Sequence, residues 1–160
     1  MQDDFDHDEL LGVILYDPET GLFTWIKARR HRVGKRAGSR NHDGYRRIHV
    51  GGCQRAEHRL AWLYMTGEWP AEDIDHKNRI KDDNRWCNLR LATVTQNQGN
   101  SRPRAGLKGA TRVRTGKWTA QIQKHGIKLH LGTFNTQEEA HKAYVRRAKK
   151  LYKEFARASA

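Results

Sequence analysis

The sequence predicts an α+β fold in two parts, and three patterns support this. Short apolar stretches on either side of residues 17–21 and of Gly51-Gly52 are typical of two β-hairpins. Residues 58–65 carry apolar side chains at helical spacing, which predicts a core-forming helix that ends near Gly67. Beyond residue 108, strand-like alternation followed by a capping box from Thr136 to Glu139 predicts a small three-stranded antiparallel sheet packed on one helix.

Charge divides the chain at about the same place. The 160 residues carry 31 Lys and Arg against 18 Asp and Glu, a net charge of +13 with a pI near 10.1. Residues 1–100 are nearly balanced, with 16 basic and 15 acidic residues, whereas residues 101–160 hold 15 against 3. Such an excess indicates a polyanionic partner, usually nucleic acid, with an anionic membrane as the alternative. We therefore predict an N-terminal domain over 1–100, a linker over 101–107 and a basic domain over 108–160.

Several classes of protein are disfavoured by composition. No apolar run approaches the roughly 20 residues that cross a bilayer, and the acidic N-terminus has the wrong sign for a signal peptide. We expect a soluble cytoplasmic protein with no membrane partner and no small-molecule cofactor. Cys53 and Cys87 are read as two free thiols. A zinc-stabilised binding module that uses them with histidines is an alternative, although their separation fits no standard ligand spacing.

Residues 74–100 hold the side chains that suit phosphodiester hydrolysis. The reaction needs an activated water, charge relief on the phosphate and stabilisation of the departing oxygen. His76 supplies a base that works near neutral pH, and Asp75 beside it is a carboxylate ligand for a hard cation. Asn97 adds an amide oxygen from a later element. Asn84 and Asn88 are suited to a loop pinned by side-chain to backbone hydrogen bonds.

This segment contains, in order, Asp75-His76, Asp83-Asn84-Arg85, Asn88-Leu89-Arg90 and Thr95-Gln96-Asn97. These four blocks resemble the HNH signature of phage and intron-homing nucleases. The resemblance implies a ββα-metal finger preceded by a strand-rich leader. It also implies that Asp75 and Asn97 bind one Mg²⁺ or Mn²⁺, and that His76 is the general base. Asn88 is expected to hold the loop and orient His76. The last position is Asn97 rather than the second histidine of the family name, which implies one fewer imidazole at the metal. The implied products are a 5′-phosphate and a 3′-hydroxyl.

Residues 16–59 resemble, more loosely, the leader that is often fused to such fingers. The matching stretches are DPETGLFTW, DGYRRIHV and HRLAW. His58 is interpreted as a structural histidine at a helix start, with an approach to the metal or the phosphate as the alternative. Arg46 and Arg59 are candidate phosphate contacts, although a solvated basic face explains them nearly as well.

Residues 108–144 contain Gly116-Lys117-Trp118, Leu131-Gly132-Thr133-Phe134 and Glu138-Glu139-Ala140. With these motifs the segment resembles the plant Apetala/ethylene-response-factor DNA-binding domain, which also occurs fused to phage homing nucleases. In that family a three-stranded sheet packs on a helix and places its other face in the major groove. Strand alternation assigns Trp118, Ala120 and Ile122 to the helix side. The predicted DNA-binding residues of the outer face and the adjoining first strand and turn are Arg112, Arg114, Lys117, Thr119, Gln121, Gln123, Lys128 and His130. Because Gln121, Gln123 and His130 depart from the plant pattern, the plant site preference does not transfer.

The sequence thus predicts a metal-dependent, homing-type DNA endonuclease that nicks or cuts double-stranded DNA. The family resemblance also implies a phage-infected or bacterial host cell. A DNA-binding regulator with an inert finger is the leading rival, and RNA as the substrate is a further one. The target sequence, the oligomeric state and the physiological metal stay open.

Overall fold

The computed structural model describes residues 5–100, 106–124 and 126–156. The chain divides into two compact units, Met1–Leu91 and Ala92–Ala160. Helices and strands occur in both units, so the predicted mixed α+β class is confirmed. Along the described ranges, no helix combines the length and the apolar character that crossing a bilayer requires.

The first unit begins with a short helix and a tight hairpin. Helix α1 spans His7–Leu11, strand β1 spans Ile14–Asp17 and strand β2 spans Leu22–Trp25. The two strands are antiparallel, with Asp17 opposite Leu22. The Asp17 carboxylate accepts hydrogen bonds from the backbone N–H of Glu19 and from the hydroxyl of Thr20. These local bonds close the turn that the sequence predicts, since Asp side chains favour such turns.

A three-stranded sheet and a helix complete the core of this unit. The strands are β3 (Ser39–Arg40), β4 (Arg46–Val50) and β5 (Cys53–Ala56), in the order β3-β4-β5. The predicted second hairpin is confirmed, because β4 and β5 pair across Gly51-Gly52, both at positive φ. Helix α2 spans Glu57–Thr66 and ends at the left-handed Gly67, as predicted. Its apolar face joins the main core, which includes Phe23, Ile48, Leu60 and Leu63.

The last elements of the first unit carry the chemical segment. Strand β6 spans Asp73–His76 and strand β7 spans Leu89–Ala92, and the two form a two-stranded sheet. The connection between them ends in a single 3-10 turn over Trp86–Asn88. The resemblance to the HNH signature implies that the first strand ends at the Asp-His pair, and β6 ends there.

The second unit is a sheet covered on one face by a helix. Its elements are α3 (Val94–Asn100), β8 (Ala110–Arg112), β9 (Trp118–Lys124), β10 (Ile127–Phe134) and α4 (Gln137–Tyr152). The antiparallel order is β10-β9-β8. Ala120 and Ile122 on β9 are buried in clusters with α4 residues, which is the division of faces that strand alternation predicts. Both free cysteines of the chain lie outside this unit and are exposed.

The end of α4 differs from the sequence prediction. Helical spacing in the sequence predicts one buried face that carries Ala140, Tyr144, Ala148, Leu151 and Phe155. Leu151 is only partly buried, and Tyr152 is buried instead. Tyr152 continues the four-residue spacing of Tyr144 and Ala148, so it faces the sheet. Phe155 is buried as expected, although it lies in a 3-10 turn over Lys153–Phe155, whose first residue has a positive φ.

The division into units falls earlier than the predicted boundary at residue 100. Helix α3 packs inside the second unit, where Gly99 lies against the Tyr152 ring and its carbonyl accepts a 2.7 Å hydrogen bond from Lys108 Nζ. Residues 101–105 of the predicted 101–107 linker lie outside the described residues. The assignment of roles to domains 1–100 and 108–160 stays a prediction.

The capping box of α4 gives a first test of stability. Thr136 Oγ1 accepts a 3.2 Å hydrogen bond from the Glu139 N–H, and the Glu139 carboxylate accepts one from the Thr136 N–H. We expect Thr136→Ala to lower the free energy of unfolding by about 1 kcal/mol, because one helix N–H loses its acceptor. Urea denaturation followed by circular dichroism measures this. Thr136→Ser keeps the hydroxyl and should stay near the wild-type value, and equal losses in both variants would contradict the capping role.

Candidate active site

The centre of the candidate site is the C-terminal end of β6. Asp75 and His76 are adjacent there and both are buried, at 9% and 4% exposure. A strand directs neighbouring side chains to opposite faces, so the carboxylate and the imidazole meet different surroundings. Each side chain is therefore held by its own set of partners.

Asp75 forms an ion pair across the two-stranded sheet. Its Oδ2 accepts hydrogen bonds from Arg90 Nε at 2.9 Å and from Arg90 Nη2 at 2.8 Å, and Arg90 comes from β7. Both side chains are mostly buried, so solvent screens this pair less than it screens a surface pair. A cation bound by Asp75 would share the carboxylate with Arg90 or displace the guanidinium.

His76 contacts Asn84 of the loop, and Asn84 is in turn hydrogen-bonded to Glu57 of α2. Its Nε2 lies 3.0 Å from Asn84 Oδ1. Asn84 Nδ2 in turn donates a 3.0 Å hydrogen bond to Glu57 Oε2, and Arg46 Nε lies 3.0 Å from Glu57 Oε1. Burial raises the pKa of Glu57, and the adjacent Arg46 guanidinium opposes that rise.

The Asn88 side chain is hydrogen-bonded to the backbone of the loop, and its predicted role in orienting His76 stays a prediction. Its Oδ1 accepts a 2.9 Å hydrogen bond from the Asn78 N–H, and its Nδ2 donates a 2.7 Å bond to the Asp83 carbonyl. Asp83 also accepts from Arg85, and these hydrogen bonds lower the pKa of the Asp83 carboxyl to about 2. The side chain of Asn84, by contrast, bonds to two other side chains rather than to the loop backbone, which the sequence did not predict.

His58 lies beside His76 although 18 positions separate the two in the sequence. The ring centroids are 5.3 Å apart in an edge-to-face arrangement, and the Tyr45 ring lies 5.3 Å from His58 and 5.9 Å from His76. His58 Nδ1 is buried and has no hydrogen-bond partner within the described part of the chain. Burial, followed by the neighbouring His76, lowers the pKa of His58 to about 3, so the imidazole is neutral at physiological pH.

The donor set of the predicted metal site suits Mg²⁺ or Mn²⁺. Asp75 offers a carboxylate and Asn97 an amide oxygen, and hard cations bind such oxygen ligands with water completing the shell. In the ranges that the structure describes, no group of three His, Cys, Asp or Glu side chains could hold an ion. Asn97 lies on α3 in the second unit, so its approach to Asp75 stays a prediction.

The two arginines predicted to contact phosphate have protein partners. The Arg46 side chain is only 12% exposed and is paired with Glu57, so Arg46 supports the buried network. Arg59 Nη2 lies 3.4 Å from the Pro70 carbonyl, and its guanidinium lies 6.0 Å from the Trp69 ring centroid. Phosphate contact by either arginine stays a prediction.

The predicted DNA-binding face of the second unit is mostly exposed. Thr119 is the exception at 6% exposure, and its hydroxyl lies 3.0 Å from His130 Nδ1. Thr119 is therefore a support for His130 in this structure rather than an open contact. The exposed residues of the predicted set are Arg112, Arg114, Lys117, Gln121, Gln123, Lys128 and His130.

Sequence reasoning missed Glu57 and Tyr45 as members of the site. Glu57 is the first residue of α2, where an acidic side chain is expected for the helix dipole alone. Its burial at 1% exposure is the signal that sets it apart, and that signal appears only once the chain is folded. Tyr45 has no distinguishing feature in the sequence beyond its place before β4.

Comparison with known proteins finds similarity over part of the chain. Residues 55–98 match the family model for HNH endonucleases, and this range includes Glu57, His58, Asp75, His76 and Asn97. An uncharacterized HNH endonuclease of Acanthamoeba polyphaga mimivirus is 33% identical over 101 residues, which are 62% of this chain and 54% of that protein. The chain thus spans about half the length of this relative. The similarity to the HNH endonuclease family model is confined to residues 55–98.

Among solved structures, the chain is similar to one described as DNA binding and cleavage by the HNH homing endonuclease I-HmuI. The two are 30% identical, with a TM-score of 0.44. The similarity covers 58% of this chain and 53% of the other.

The low pKa of His58 predicts how stability depends on pH. An unfolded chain binds a proton at His58 below about pH 6.5, whereas the folded chain resists protonation down to about pH 3. The folded state should therefore lose up to about 1.4 kcal/mol per pH unit in this window as the pH falls. We expect His58→Gln to flatten this part of the curve of unfolding free energy against pH. His49→Gln, at an exposed site on β4, is the control and should leave the slope unchanged. A slope that is the same in His58→Gln and wild type would contradict the assignment.

Proposed function

We propose that this chain is a metal-dependent DNA endonuclease of the HNH homing type. The observation that carries the proposal is a buried, hydrogen-bonded His76 next to Asp75 at a strand end, inside the segment that matches the HNH endonuclease family. Hydrolysis of one phosphodiester bond would leave a 5′-phosphate and a 3′-hydroxyl. A single site hydrolyses one strand for each engagement, so a monomer would nick, and a double-strand break would need a second engagement or a dimer.

In the proposed reaction His76 is the general base. It accepts the proton of the water that attacks the phosphorus, and its hydrogen bond to Asn84 keeps the ring in place while the proton transfers. Asp75 and Asn97 would hold one Mg²⁺ or Mn²⁺, which supplies charge relief on the phosphate and stabilises the departing 3′ oxygen. Asn88 holds the loop that follows His76 through its hydrogen bonds to the backbone of Asn78 and Asp83.

The second unit is proposed to anchor the chain on duplex DNA, in the manner of an Apetala/ethylene-response-factor domain. Its sheet leaves one face exposed, and that face carries basic and amide side chains. Gln121 and Gln123 are suited to adenine, and Arg112 and Lys128 to guanine or phosphate. The strong positive charge of residues 101–160 supports this role, because phosphate contacts dominate affinity for DNA.

A DNA-binding regulator with an inert finger is the second candidate, and one observation favours it. The Asp75 carboxylate is already paired with Arg90 through two hydrogen bonds, and this pair competes with a cation for the same oxygen. In an inert finger the ion pair would replace the metal as the stabilising charge.

A supercoiled plasmid assay tests the nuclease. With Mg²⁺ or Mn²⁺ present, we expect the wild type to convert supercoiled plasmid to the nicked or linear form and EDTA to stop the reaction. His76→Ala should lower the rate by about 100-fold or more, because the general base is lost. His49→Ala is the matched control and should cut at the wild-type rate. Equal rates for His76→Ala and wild type would remove the catalytic assignment, and a wild type that binds without cutting with either metal would establish the inert finger.

The binding face can be tested by the salt dependence of affinity. We expect Lys128→Ala to weaken binding to duplex DNA and to reduce the slope of log K against log salt by about 0.9, the value for one phosphate contact. Lys142→Ala is the control, since Lys142 is exposed on α4, the layer on the other side of the sheet. Fluorescence anisotropy between 50 and 300 mM salt measures both. A larger effect for Lys142→Ala would move the DNA contact to the helix.

A further inference from the structure

A chain of buried polar side chains leads from Arg46 to His76. Arg46 pairs with Glu57, Glu57 accepts a hydrogen bond from Asn84, and Asn84 contacts the imidazole, each at about 3.0 Å. Glu57 and Asn84 are each 1% exposed, so water has little access to these bonds. The chain links the start of α2, the loop after β6 and the end of β6.

The chemistry of these groups fixes the direction of each hydrogen bond. An ionised carboxylate only accepts, so Glu57 requires the NH₂ group of Asn84 to face it. The amide oxygen of Asn84 must then face His76, and an oxygen without hydrogen only accepts. The ring nitrogen beside it, Nε2, must therefore carry the proton. In a neutral imidazole this leaves Nδ1 as the proton acceptor.

We propose that Glu57 and Asn84 are positioning residues that hold His76 in the Nε2–H tautomer, so that Nδ1 is the atom that takes the proton from water. The inference rests on the proposed function of His76 as a base. Glu57 acts by fixing the orientation of the Asn84 amide, and Asn84 acts directly on the imidazole. Neither residue touches the substrate.

Asn84 is held by its backbone as well as by its side chain. Its backbone carbonyl accepts a 2.7 Å hydrogen bond from the Tyr16 hydroxyl, so three of its polar atoms have protein partners. Burial raises the pKa of Tyr16, which keeps that hydroxyl a donor. Arg46 is fixed in turn by the Gly38 carbonyl, and Gly38 has a positive φ at which a side chain would collide with Glu57. Both ends of this series of hydrogen bonds are therefore held in place, and the side-chain amide of Asn84 has little freedom to flip.

Nitrogen NMR of the metal-free full chain tests the tautomer directly. Imidazole ¹⁵N shifts and long-range couplings distinguish the Nε2–H from the Nδ1–H form, and the His76 signals are assigned by their loss in His76→Gln. We expect the wild type to show the Nε2–H form alone. A wild-type signal from the Nδ1–H form would overturn the proposal even if the chain cuts DNA. The His76 tautomer can be measured whether or not the chain cuts DNA. Failure of the tautomer proposal is therefore distinguishable from failure of the proposed nuclease function.

Glu57→Gln tests the link from the carboxylate to the ring. A glutamine side chain can donate or accept, so Asn84 is no longer held in one orientation. We expect a mixture of His76 tautomers and a fall in kcat for plasmid nicking of about tenfold or more, with KM for DNA within twofold of wild type. Glu72→Gln, at an exposed site of the same unit, is the control and should change neither readout.

Asn84→Ala is a second variant and should show the same mixture and the same loss of kcat. Thermal unfolding identifies the temperature range in which each variant is folded, and the assays are run there. If Glu57→Gln is folded and keeps a single Nε2–H signal with wild-type kcat, the proposal is wrong. A purely structural role predicts that outcome, because the folded fraction would then set the activity.

Discussion

The buried Glu57 carboxylate is the constraint on which the first unit depends. A carboxylate at 1% exposure is tolerated only when a charge and hydrogen-bond donors surround it, and Arg46 and Asn84 supply them. Removing one partner of such a buried pair typically costs about 3–5 kcal/mol, because the remaining charge stays buried without compensation. The same group therefore ties sheet, helix and loop together and holds the imidazole at the end of β6.

Each group of the candidate site is held by a different neighbouring side chain. Asn88 satisfies the backbone of the loop, Asn84 holds the imidazole, and Arg90 neutralises Asp75. His58 adds a neutral, buried ring against His76, which keeps water and a second positive charge away from that side. The groups that surround His76 are thus mostly uncharged or paired.

The two faces of the sheet in the second unit differ in chemical character. One face of its sheet is apolar and is covered by α4, and the other is polar and open. Alternation along β9 predicts this division correctly, because the period of two is a property of the strand itself. The contact between Thr119 and His130 was not predictable, since it depends on the pairing of β9 with β10 and on the irregular register near Gly132.

By itself, the sequence determined the features that act over a few residues: the Asp17 turn, the Gly51-Gly52 hairpin and the Thr136 capping box. The tertiary structure alone decided which distant groups meet. It paired Glu57 with Asn84, 27 positions away, withdrew Arg46 from solvent and set His58 against His76. The physical reason is that turns and caps are closed by bonds between near neighbours. Burial and long-range pairing arise only when whole elements pack, and no local pattern encodes them.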